Sequence, residues 1–128
     1  MAPPTAYVLG GFQTDFAKNW SRAGSDISSI VRDTALGALA VCDMQADEVE
    51  IIHVGNAFGE QHRNQAHLGA MVASTIPKFY GTPASRPEAA CASSSIAVLA
   101  AMAEIEAGRY ASALVLVAEE ERNVTRSG

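Results

Sequence analysis

Residues 91–118 read CASSSIAVLAAMAEIEAGRYASALVLVA. From Cys91 onward the side chains are small or apolar on nearly every face until Glu104 and Glu106 introduce charge. A helix apolar all round belongs inside a protein, so the pattern predicts a buried helix over residues 91–107. Gly108 falls where a helix C-terminus calls for positive φ. The run 113–118 that follows is unbroken and apolar, which predicts a central parallel strand covered on both faces. A helix leading by a short turn into such a strand is half of a βαβ unit, and it decides for an α/β fold.

Working outward, the same alternation continues upstream. Tyr7-Val8-Leu9 before Gly10-Gly11 predicts a short first strand ending in a turn, followed by polar loop to Gly24. Ile27, Ile30, Val31, Ala35, Ala38, Leu39 and Cys42 recur on one helical face, with Ser25 or Asp26 placed as the cap. Cys42 is therefore expected in the core. Residues 50–54, rich in β-branched side chains and bounded by Gly55-Asn56, predict a second strand. Leu68, Met71, Val72, Thr75 and Ile76 predict a second helix, closed by Pro77, Gly81 and Pro83. With right-handed crossovers these elements make one α/β domain over residues 1–128, a mostly parallel sheet flanked by helices on both faces.

Composition narrows the classes of function. The 128 residues are 48% hydrophobic and 18% charged, an ordinary globular make-up. Fourteen acidic against nine basic residues give a net charge of -5, and the basic ones are scattered, which disfavours nucleic-acid binding. Cys42 and Cys91 belong to no C-x-x-C pair, so a reducing interior and a cytoplasmic location are expected. Met1-Ala2-Pro3-Pro4-Thr5 lacks the pattern of a secretory signal. Residues 89–103, the longest uncharged stretch, are too few to span a bilayer, and no membrane association is expected. Without a secretory route, the sequons at Asn19 and Asn123 read as chance.

Cys91 is the candidate nucleophile. Placed where the predicted helix begins, its thiol meets unpaired backbone N–H groups and the positive end of the helix dipole, which stabilise a thiolate. Sulfur also suits thioester chemistry, because exchange between thioesters is nearly isoenergetic and the acyl group stays transferable. Position alone leaves the alternative open that Cys91 is one more buried core cysteine.

The words around it carry more. Glu88-Ala89-Ala90-Cys91-Ala92-Ser93-Ser94-Ser95-Ile96-Ala97, the helix end Ile105-Glu106-Ala107-Gly108-Arg109-Tyr110 and the strand end Val117-Ala118-Glu119-Glu120 resemble the nucleophile region of thiolases. Residues 10–16 and Val54-Gly55-Asn56 fall where that family has its first and second strands, so the resemblance runs along the whole chain in order. It is similar above all to the sterol-carrier-protein type, partly through residues 65–71. The resemblance implies the first half of a duplicated, layered thiolase fold. It implies an acyl-CoA C-acyltransferase, cleaving 3-oxoacyl-CoA thiolytically or running the reverse Claisen condensation. Cys91 would carry the acyl group, and its own N–H would help bind the thioester oxygen. Coenzyme A and acyl-CoA enter as substrates, with no tightly bound cofactor and no metal.

In the family a histidine and a second cysteine come from the second half of the fold, which is expected here on another polypeptide, in a dimer or tetramer of complete units. The chain alone is then expected to be inactive. Ketosynthases share the superfamily, so a decarboxylating condensing enzyme is the alternative; two histidines beside the nucleophile would mark it. A non-catalytic thiolase-like assembly subunit is the other. Two departures stand out. Ser94 occupies the position where many degradative thiolases have glycine. Pro87 enters a segment that the family uses as a strand at its dimer interface, so that strand is expected to be irregular or paired on one side.

Other residues admit plainer readings. Glu60, His62 and His67 are crowded, but the two histidines are five apart, off the face that helical zinc ligands share. His67 is expected at a partner surface or helix start, and His53 as a hydrogen-bonded core or dimer-facing residue. Glu119-Glu120-Glu121-Arg122 reads as a solvated turn. Arg22, in the loop after the first strand with Gln13, could meet a CoA phosphate, and surface solubility explains it equally well.

Overall fold

A computed structural model describes residue 2 and residues 4–120. Its elements are α1 (Ile27–Cys42), β1 (Ile51–Gly55), α2 (Gly59–Arg63), α3 (Leu68–Thr75), β2 (Ala84–Ser85), α4 (Ser93–Glu106) and β3 (Ala113–Val117). The three strands form a parallel sheet in the order β2-β1-β3. Ile51 pairs with Ala113 and Gly55 with Val117, so β1 and β3 end level with each other.

Side chains alternate across a sheet, and the two faces of this one differ. Ile52, Val54, Leu114 and Leu116 join Ile30, Val31, Ala35, Leu68, Val72 and Phe79 in the main core, which α1 and α3 cover. The opposite face receives α4 through its smallest residues, Ser93, Ala97 and Ala101. There His53, 4% exposed, spans the layers: Nδ1 lies 2.6 Å from Ser85 Oγ on β2, and Nε2 lies 2.7 Å from Glu104 Oε2 on α4. The expected core histidine is thus the polar tie between edge strand and helix.

Helix α1 begins where capping chemistry dictates. Asp26 Oδ1 accepts from Ser28 Oγ at 2.5 Å and from Ser29 N at 3.1 Å, satisfying an amide with no partner inside the helix. Helix α4 runs into Gly108 at φ +71, the left-handed conformation that the sequence assigned to this glycine.

Four expectations are corrected. Tyr7-Val8-Leu9 form no strand: they are 80%, 90% and 69% exposed, because no described strand lies beside them. Residues 5–19 instead follow α1, where Phe12 lies against Gly37; a Cβ there would stand 2.5 Å from its ring. Strand β3 is an edge of the described sheet, not its centre. Between its free side, the flank of α4 and residues 5–19 opens a cleft of about 1330 Å³. Helix α4 is not buried all round, since its small residues take the sheet while Ile96, Val98, Leu99 and Met102 face away, 38–56% exposed. Finally, α2 was not foreseen in a stretch read as connection. β2 is two residues long, stops before Pro87 and lies at an edge of the described sheet.

The Asp26 cap gives a pH-dependent prediction. Its hydrogen bond from Ser28, followed by that from the Ser29 N–H, holds the carboxyl below its ordinary range. A pKa depressed by folding stabilises above the unfolded value and ceases to do so as pH falls through the folded one. Asp26→Ala should therefore cost about 1 kcal/mol at neutral pH. The gap between its thermal unfolding and that of the parent should close below about pH 4; an undiminished gap in acid would contradict the capping account.

Candidate active site

Cys91 is exposed, in a 3₁₀ turn (Ala90–Ala92) that leads directly into α4. The thiol is therefore placed one short turn ahead of the position that periodicity suggested. Ala90 adopts φ +49, a left-handed conformation uncommon for a residue with a Cβ. Its N–H donates to Glu88 Oε1 at 2.7 Å. Ser93, 4% exposed, does the rest: its hydroxyl accepts from Ala89 N at 2.9 Å and donates to Ala90 O at 2.7 Å. One buried hydroxyl thus closes the turn from inside and leaves the Cys91 side chain outside.

The groups that the start of a helix presents are backbone amides. No side chain caps the N-terminus of α4, because the Ser93 hydroxyl is engaged with the turn behind it. No described residue accepts a hydrogen bond from the Cys91 N–H. Amides so placed, at the positive end of a helix, are suited to meet negative charge developing on an oxygen.

The strand ends beside this turn are tied by a carboxylate that the sequence did not single out. Glu119 accepts from Ala57 N at 2.8 Å and Phe58 N at 3.0 Å, bridging the ends of β3 and β1 at the approach to α2. Glu120 is 4% exposed and pairs with Arg63 of α2. The expected solvated turn is, at these two positions, an anchored one; Glu121 and Arg122 lie outside the described residues. The available signal was two carboxylates at the end of an apolar strand, near the amides of a short helix.

The remaining candidates separate. Glu60 pairs with Arg86 at 2.9 Å, and His62 meets Phe58 edge-on at 6.0 Å. His67 precedes α3 without a side-chain capping bond. Among the described residues no group of three His, Cys, Asp or Glu could hold a metal ion. Arg22 is exposed, and its N–H is held by Asn19 Oδ1. Cys42 is partly buried at the end of α1, where a Cβ on Gly10 would stand 3.0 Å from its sulfur. No helix among the described residues is long and apolar enough to cross a membrane.

The layered arrangement has a counterpart among solved structures. The 3-oxoacyl-[acyl-carrier-protein] synthase III of Aquifex aeolicus VF5 superposes with a TM-score of 0.66 at 24% identity, over 74% of this chain and 30% of that one. The fold is that of the thiolase superfamily. Sequence similarity points the same way. The chain is 28% identical over 115 residues to an acetyl-CoA acetyltransferase of Methanocaldococcus jannaschii, covering 90% of this chain and 28% of that protein. It is 25% identical over 103 residues to one of Methanothermobacter thermautotrophicus, covering 80% and 26%. The chain thus spans just over a quarter of the length of the curated relatives it matches. No protein-family model matches it.

Within this thiolase fold the two cysteines should differ in reactivity. Cys91 is exposed beside uncapped amides, whereas Cys42 is packed between α1 and Gly10. Iodoacetamide at neutral pH should label Cys91 at least about tenfold faster, because the thiolate is the reacting form and access limits it. Peptide mapping that found equal rates would count against an activated Cys91.

Proposed function

We propose that this chain supplies the nucleophile of a thiolase-type acyl-CoA C-acyltransferase, with Cys91 as the residue that becomes acylated. The observation that carries the reading is the exposed thiol in the turn opening α4, a helix whose N-terminus no side chain caps. In the cleavage direction the sulfur adds to the 3-oxo carbon of a 3-oxoacyl-CoA. The electron pair moves onto the carbonyl oxygen, which the Cys91 N–H and the helix start can stabilise. Collapse re-forms the carbonyl and breaks the bond to the α-carbon, which leaves with the CoA thioester and takes up a proton. The thiol of a second coenzyme A then accepts the acyl group from sulfur, restoring Cys91. Condensation is the same sequence reversed.

The base for the thiol and the acid at the α-carbon belong, on this reading, to the rest of a thiolase unit. Two features support a covering half. The outer face of α4 presents Ile96, Leu99 and Met102, three large apolar side chains side by side and partly exposed. The free side of β3 borders an open cleft rather than another strand. Coenzyme A acts as substrate, and the complete assembly is a dimer or tetramer of such units. The resembling family uses the segment around Pro87 as a strand at its dimer interface, and here the neighbouring β2 is an edge of the described sheet.

Cys91→Ala tests the covalent mechanism. In the intact protein it should reduce acyl transfer by at least about a thousandfold, since covalent catalysis has no substitute for its nucleophile. The melting temperature should change little, because an exposed side chain contributes little packing. Turnover within tenfold of the parent would exclude an acyl-Cys91 intermediate.

A further inference from the structure

The end of β1 grips the Cys91 turn from both sides. Gly55 lies under the segment that follows the cysteine: a Cβ on Gly55 would stand 2.9 Å from Ser93 O and 3.1 Å from Ser94 N. Asn56 holds the segment that precedes it. Its backbone N–H donates to Pro87 O at 3.4 Å, and its Oδ1 accepts from Arg86 Nη1 at 3.3 Å. The same side chain is fully buried and uses its remaining capacity elsewhere. Oδ1 also accepts from Gly59 N at 3.0 Å, while Nδ2 donates to Ala118 O at 2.8 Å and to Glu119 Oε1 at 2.9 Å. One amide thus joins the ends of β1 and β3, the start of α2 and the strand leading to the nucleophile.

An amide buried with both oxygen and nitrogen doubly engaged has one orientation available, so its position is fixed by four partners at once. The turn it holds needs fixing. Ala90 sits at positive φ, and the span from Arg86 to Cys91 contains no strand or α-helix of its own. Arg86 is shared, since its other nitrogen meets the exposed Glu60 at 2.9 Å. That second contact does not reach the turn.

We propose that Asn56, acting through Arg86 and the backbone of Pro87, is a positioning residue that sets the Cys91 turn in register with the amides at the start of α4. The inference rests on the acyl-Cys91 reading. It also stands on a measurement independent of it, the intrinsic reactivity of the thiol. Asn56→Asp keeps the shape, the Oδ1 acceptor and the backbone N–H, but sets a carboxylate oxygen against Glu119 and Ala118 O, a repulsion that displaces the side chain holding the turn. Arg86→Met removes the link to Asn56 together with the Glu60 pair. Glu60→Gln removes the other partner of Arg86 and serves as the control.

The experiment measures kcat, KM, the rate of Cys91 alkylation by iodoacetamide and the melting temperature for the parent and the three variants of the intact protein. Asn56→Asp and Arg86→Met should each lower kcat about tenfold with KM within twofold, as small misplacements of a reacting group do. Alkylation should slow about fivefold on the same grounds, because the turn no longer holds the thiol in its exposed position. Glu60→Gln should match the parent. Parental kcat and alkylation in either folded variant would overturn the proposal, as would losses that merely follow melting temperature across all three. If the parent forms no acyl enzyme, the acyltransferase reading fails and alkylation alone judges the positioning role.

Discussion

Everything distinctive about this molecule depends on how closely α4 approaches the end of the sheet. Gly55 permits it, because any side chain there would collide with the Ser93 carbonyl. The small residues Ser93, Ala97 and Ala101 extend the contact along the strand direction. With the helix seated so deeply, its N-terminus and the Cys91 turn lie beside the level ends of β1 and β3, where backbone amides and the Glu119 carboxylate gather. A bulkier residue at Gly55 would lift the helix start and carry the thiol away from that cluster.

The same packing explains what the helix leaves open. Small residues on the sheet side allow a close approach but bury little apolar area, so the larger side chains Ile96, Val98, Leu99 and Met102 are all on the outside. Full burial of such a side chain from water is worth roughly 1.5–3 kcal/mol, and covering the part that these still expose would add a fraction of that. This outer face is the surface that the proposed covering half would meet.

Local signals in the sequence were read correctly where local chemistry decides the outcome. The cap at Ser25 or Asp26, found at Asp26, the apolar face of α1 and the positive φ at Gly108 are of this kind. The strand expected at Tyr7-Val8-Leu9 failed because a strand needs a neighbour, and apolar alternation does not say whether one is present. The all-round burial of α4 failed for the same reason: composition shows that a helix could be covered, not what covers it. At the candidate site, the place of Cys91 at the opening of a small-residue helix was legible in the sequence. Asn56, Glu119 and the Ser93 hydroxyl were not, because their roles arise from contacts between residues 30 to 63 apart in sequence or from one hydroxyl turned inward.

The central claim is that Cys91 takes an acyl group from a thioester. The most direct test is intact-mass spectrometry of the whole protein, rapidly quenched after mixing with acetyl-CoA and with a 3-oxoacyl-CoA, followed by peptide mapping. The account predicts a mass gain of one acyl group on the peptide containing Cys91, reversed by added coenzyme A. No adduct, or an adduct confined to Cys42 or to another residue, would contradict it.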